Sequence, residues 1–311
     1  MMTTTLTPPP GAVPEPAAPG DTPAAKRRRK RKNEGSTGVR EATPLTYIGL
    51  SLTVLLSVFP LWWMLVVASR DSAAASARPP YMWPGGNLLE NLERLFANSS
   101  ANFQLGLVNS AISSTILALS VVLFSSLAGF ALAKLKFRGR NAAAVGVVLT
   151  MAVPVQIGII PLLMLMEWFG WRGEITAIIV PFMVNGFGVF MMRQYCIQAI
   201  PDELLEAARM DGCSTFRIYW NVVLPALRPA MVVLGLLTFM TQWNEFTWAL
   251  AVLTPANPTV QLAINQLNQS AYSRDFALMF TGSVVATLPL LILFFVLGRQ
   301  LIGRIMEGAI K

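Results

Sequence analysis

Five strongly apolar stretches of this chain run without one charged side chain for at least the roughly 18 residues that mark a membrane-spanning helix: residues 42–69, 95–133, 141–166, 175–192 and 276–298. A bilayer core offers no water to a broken backbone ladder, so runs of this length can cross it only as helices or closed barrels. Their continuous apolar character, without strict alternation, selects helices. A sixth run, residues 229–253, is equally long and carries a single charge, Glu245. The expectation is an all-α integral membrane protein with six transmembrane helices at about 45–69, 106–134, 143–166, 175–192, 229–253 and 276–299. A composition 54% hydrophobic and only 13% charged fits a chain whose solvent is lipid.

The same composition excludes several activities. Histidine is absent and the cysteines are only Cys196 and Cys213, which removes the usual general base and any zinc framework. No Gly-x4-Gly-Lys-Ser/Thr phosphate loop is present, so ATP hydrolysis is not expected of this chain. No metal, cofactor or catalytic residue is indicated, and the chain is not expected to be an enzyme.

Charge is distributed by side of the membrane. Residues 1–44 are rich in Pro, Ala, Gly and Thr and then carry seven consecutive basic residues, Lys26 to Lys32, a composition that predicts a disordered tail. With that tail in the cytoplasm, the inner segments hold nineteen Lys/Arg and the outer ones five, and six spans put both termini inside. The basic run then sets topology and attracts anionic lipid, and is not assigned to nucleic acid. Residues 45–69 exceed a signal-peptide core in length, which predicts an uncleaved first helix.

Within the spans, Ser125, Gly129 and Ala133 recur every fourth residue and Gly282 and Ala286 repeat the spacing, which predicts close helix packing. Pro60, Pro154, Pro161, Pro181 and Pro289 each delete a backbone donor inside a run. After the first span, residues 87–96 read as an amphipathic helix lying along the membrane face. A carboxylate inside a span is unfavourable unless it faces a cavity or a partner. Two roles fit Glu245: lining a path, or a structural hydrogen bond.

The polar loop at about 196–225 is the most informative segment. Pro201 suits a helix start, Asp202 and Glu203 complement the positive end of the helix dipole, and Gly212 suits the left-handed residue that ends a helix. Leu204, Leu205 and Ala208 fall on one apolar face. Ser214 or Thr215 can cap a second short helix through Tyr219, before Pro225 and Pro229 reset the chain for the fifth span.

Glu206, Ala207, Ala208, Asp211, Gly212, Cys213, Leu224 and Pro225 reproduce a pattern that resembles the ATPase-coupling loop of binding-protein-dependent ABC importer permeases, with Cys213 standing where that family usually has alanine. Asn109-Ser110, Trp243-Asn244-Glu245-Phe246 and the terminal Glu307-Gly308-Ala309-Ile310-Lys311 look like its carbohydrate-uptake, maltose-type branch. The resemblance covers residues 45–311. It implies the type I ABC importer permease fold, a bacterial inner-membrane location, and a function in moving a sugar or related small solute. The partners it implies are a second permease, ABC ATPase subunits and an extracytoplasmic solute-binding protein. It further places Asn109, Ser110, Trp243, Asn244 and Glu245 as possible lining of the translocation path. Two alternatives stay open: a non-sugar solute such as a polyamine, and an ion-coupled secondary transporter, for which Glu245 is the one buried ionisable candidate.

Overall fold

The computed structural model describes residues 43–268 and 275–308. The basic run, most of the expected tail and residues 309–311 lie outside them. All regular structure among the described residues is helical. The described residues up to Phe59 and those from Pro60 onward fall into two compact units. The first unit contributes the beginning of helix α1 (Pro44–Ala68), whose Leu45, Ile48, Leu52 and Leu55 are exposed.

In the second unit, α1 ends on the buried residues Val66, Val67 and Ala68. Helix α2 (Leu88–Ala97) follows, then α3 (Phe103–Lys134), α4 (Arg140–Ala152), α5 (Ile159–Trp168), α6 (Thr176–Ile179) and α7 (Gly186–Ala199). Helices α8 (Asp202–Met210) and α9 (Thr215–Ile218) make the polar loop, and α10 (Leu224–Trp243), α11 (Thr247–Val252), α12 (Val260–Leu267) and α13 (Phe276–Gly308) complete the order. Four continuous helical stretches are long and apolar enough to cross a membrane, and two bent pairs bring the number to six.

The bends fall where the backbone loses donors. Helices α4 and α5 meet at 85° around Val153 and Pro154, and the stretch 176–182 meets α7 at 40° after Pro181. Asn185 restarts the chain there by accepting the Gly188 amide at 2.6 Å, an N-cap that satisfies one orphan donor of α7. Pro60 and Pro289, by contrast, sit inside unbroken helices.

The core is built on α3, which packs against both α7 and α10. The four-residue stripe predicted on α3 is the α7 seam: a Cβ on Gly129 would lie 2.7 Å from the Arg193 amide nitrogen and 2.8 Å from Met192 Cβ. Ser125 meets Gly188 on the same seam. Gly106 repeats the device against α12, where an added Cβ would stand 3.0 Å from the Thr259 carbonyl oxygen.

Two expectations are corrected. The fifth span was expected to begin at Pro229, yet helix runs unbroken from Thr215 to Trp243. The segment Tyr219–Val223 takes π-helical form, with the Leu224 amide bonded to the Tyr219 carbonyl, and this wider turn precedes the donorless nitrogen of Pro225. The span also ends early, at Trp243, and Glu245 lies in the break before α11 and not within a helix. Helix α2 forms where an amphipathic helix was expected, and it packs on α13. It buries Leu95 and Asn91, and Asn91 Nδ2 donates to the carbonyls of Ala68 and Arg70 at 2.9 and 2.8 Å. Arg94 also pairs with Asp275, whose other oxygen accepts the Leu278 amide at the start of α13.

Gly129→Leu will therefore force α3 and α7 apart and lower the stability of the detergent-solubilised protein by about 1–3 kcal/mol. Gly146→Leu, where an added Cβ meets nothing within 4 Å, will leave the thermal midpoint nearly unchanged. Equal midpoints for the two variants would contradict the seam.

Candidate functional site: the polar loop and the cavity beside Glu245

Pro201 precedes the first residue of α8 in an extended conformation, and Asp202 and Glu203 occupy the first turn. Asp202 accepts a hydrogen bond from Lys134 Nζ at 2.7 Å, joining the end of α3 to the start of α8. That bond and the lysine charge hold the Asp202 carboxyl below the usual aspartate range. The lysine side chain is nearly buried while the carboxylate is exposed. Because the folded value is lowered, the pair is intact above the ordinary carboxylate value and is lost only as pH falls below it.

Helix α8 ends in a Schellman motif. The Cys213 amide bonds to the Ala208 carbonyl at 3.0 Å, the Gly212 amide bonds to that of Arg209 at 2.9 Å, and Gly212 has φ +76°. Ser214 then caps α9 by accepting the Arg217 amide.

The loop has two faces. Leu205 is buried, and Ala208, Cys213 and Leu224 pack half-buried against the core shared by α3, α7 and α10. Tyr219 anchors the following segment, its hydroxyl 2.7 Å from Ser126 Oγ and its ring 5.9 Å from that of Phe130. Glu206, Ala207, Asp211, Gly212 and Pro225 are exposed. The single apolar face expected for Leu204, Leu205 and Ala208 is divided, since Leu204 is exposed. Sequence reasoning passed over Met210 and Phe216, which are 87% and 66% exposed on this loop. The available signal was two large apolar residues flanking a Gly stop in a polar segment.

The five residues considered for the path fall into different surroundings. Asn109 Nδ2 donates to Asn257 Oδ1 and to the Pro258 carbonyl at 2.7 and 2.9 Å, and Ser110 Oγ accepts the Val260 amide at 2.9 Å. Together they fasten the start of α12 to α3. Trp243 is buried, stacks on Phe239, and donates from Nε1 to the Ala286 carbonyl at 3.0 Å. Asn244 is exposed and donates to the Met240 carbonyl. Glu245 Oε1 accepts the Trp248 amide at 2.8 Å, and Glu245 alone of the five lines a cavity of about 610 Å³. Leu117 of α3, Ile159 and Leu162 of α5, Phe187 of α7, and Leu234, Leu237 and Thr241 of α10 also line it. The arrangement is a fixed knob at one end of α10 and a largely apolar, partly polar hollow at the other.

A family model described as "Binding-protein-dependent transport system inner membrane component" matches residues 122–307. The chain is 31% identical over 281 residues to the arabinooligosaccharides transport system permease protein AraQ of Bacillus subtilis (strain 168), covering 88% of this chain and 96% of that protein. It is 31% identical over 284 residues to the lactose transport system permease protein LacG of Rhizobium radiobacter, covering 88% and 99%. It is also 30% identical over 215 residues to the sn-glycerol-3-phosphate transport system permease protein UgpE of Yersinia enterocolitica, covering 68% and 76%. Among solved structures, it shares its fold with a chain of a bacterial ABC transporter involved in the import of the acidic polysaccharide alginate. The TM-score is 0.70 at 21% identity, over 91% of this chain and 99% of that one.

Because Gly212 holds a left-handed conformation with open space around it, Gly212→Ala will add only backbone strain, about 1 kcal/mol at the helix end. Hydrogen exchange at the Gly212 and Cys213 amides should accelerate about fivefold, and Gly212→Asn should accelerate it less. Unchanged protection in Gly212→Ala would mean that the motif does not hold the loop.

Proposed function

The chain belongs to the family of inner membrane components of binding-protein-dependent transport systems, and we propose that its exposed loop from Glu206 to Phe216 is the seat of the ATPase subunit. The chain is a multi-pass membrane permease of an ABC importer. In the proposed assembly it pairs with a second permease, takes solute from an extracytoplasmic binding protein, and keeps both termini in the cytoplasm. ATP is hydrolysed on separate subunits, in keeping with the missing phosphate loop. The solute is a sugar or a related small molecule, a reading supported by relatives whose names specify arabinooligosaccharides and lactose.

One observation carries the docking reading: Met210 and Phe216 stand exposed beside Gly212, while Leu205, Ala208 and Cys213 bind the back of the same loop to the permease core. Exposed apolar side chains on a rigidly backed knob suit insertion into a cleft of another protein. Movement of that cleft then displaces the bundle as a body, and the helices rock between two openings.

The docking test places cysteine at Met210 or Phe216 in a chain whose Cys196 and Cys213 are alanine. Both positions should form crosslinks with the ATPase subunit in native membranes, whereas cysteine at buried Leu205 should not. Asp211→Arg should leave insertion intact and abolish solute-stimulated ATP hydrolysis. Full stimulation in Asp211→Arg, or capture at position 205 in place of 210, would overturn the assignment.

A further inference from the structure

Among the described residues, the cavity beside Glu245 carries one formal charge and no countercharge. Among its described lining residues Glu245 is the sole ionisable side chain, with no lysine or arginine. Its Oε1 is held by the Trp248 amide at 2.8 Å, and Oε2 has no hydrogen-bond partner among the described residues. The other polar groups of the wall are neutral. Gln156, Thr238 and Gln242 line the cavity with their side-chain polar atoms unpartnered among the described residues, and Asn185 uses its Oδ1 on Gly188 while its amide nitrogen makes no bond there. Such a wall offers donors and acceptors to hydroxyl groups. It offers nothing to neutralise a phosphate or a uronate.

Resting on the permease reading above, we propose that Glu245 is a specificity-determining residue that makes this part of the path a filter against anions, so that the transported solute bears no net negative charge. Two like unit charges about 8 Å apart in an effective dielectric near 20 repel enough to lower occupancy about thirtyfold, and physiological salt reduces this to about fourfold. Low-dielectric walls focus the field of the unpaired carboxylate into the hollow. The neutral amides and hydroxyls around it take over the hydration of a sugar without supplying charge.

The test uses the full importer in membranes, with Cys196→Ala and Cys213→Ala as background and Thr241→Cys as a reporter on the cavity wall. The probes are the cationic trimethylammonium-ethyl and the anionic sulfonatoethyl methanethiosulfonates, and the readout is the ratio of their modification rates. With Glu245 the cation-to-anion ratio should exceed that of the Glu245→Gln variant by at least about fourfold. Glutamine keeps an oxygen for the Trp248 amide, so the change reports charge and not loss of the α11 cap. Glu245→Asp should retain most of the wild-type ratio. Equal ratios in wild type and Glu245→Gln, or a reporter closed to both reagents, overturn the proposal. The measurement needs no transport cycle: a missing loop crosslink with an intact ratio rejects the docking reading alone, and a crosslink with equal ratios rejects the filter alone.

Discussion

The approach of α3 to α7 sets the spacing on which the rest of the bundle depends. Helix association in lipid gains little from the hydrophobic effect, because the tails are as apolar as leucine, and it rests on close packing and interhelical hydrogen bonds. Gly129 supplies the closeness: with no side chain, it lets α3 lie against the backbone at Arg193. Once those two helices are in contact, α10 packs against both, and the buried Ser126–Tyr219 bond fixes the height at which it enters. The loop between α7 and α10 is then confined at both ends by elements that already touch.

That confinement gives the loop its mechanical quality. A polar segment joining two apolar helices is ordinarily the mobile part of a membrane protein, free to follow the solvent. Here the back of α8 is buried by Leu205, its start is tied through Asp202 to Lys134, and its end is closed by two backbone bonds around Gly212. In the proposed reading, a force applied to Met210 or Phe216 therefore reaches three helices at once.

Much of this was legible in the residues, for identifiable reasons. Apolar runs mark helices because lipid permits little else, and the glycine that ends α8 announces itself by type. Small residues at four-residue spacing located the α3–α7 seam. What was not legible depends on groups brought together from afar. Asn109 and Ser110 were considered for the path on resemblance, and the partners of their polar atoms, Asn257, Pro258 and the Val260 amide, lie about 150 positions along the chain. Pro225 and Pro229 were read as a break because local rules penalise proline within a helix. The π-helical turn at 219–223 lies ahead of them, and sequence periodicity has no register in which to show it. Glu245 was placed inside a span on hydropathy, whereas the backbone opens there and the carboxylate caps the next turn.

The unbroken helix from Thr215 to Trp243 has a further consequence. Its first residues belong to the exposed loop and its last turns carry Thr238, Thr241 and Gln242 on the cavity wall. At 1.5 Å per residue it is a shaft of about 43 Å, with one widened coil near its foot and Pro229 inside it. Such a shaft needs no chain of side chains to relay a signal: turning or lifting the foot turns or lifts the wall. In the proposed reading, the widened coil is where torque would be absorbed, and its stiffness would set how much of each stroke reaches the cavity wall.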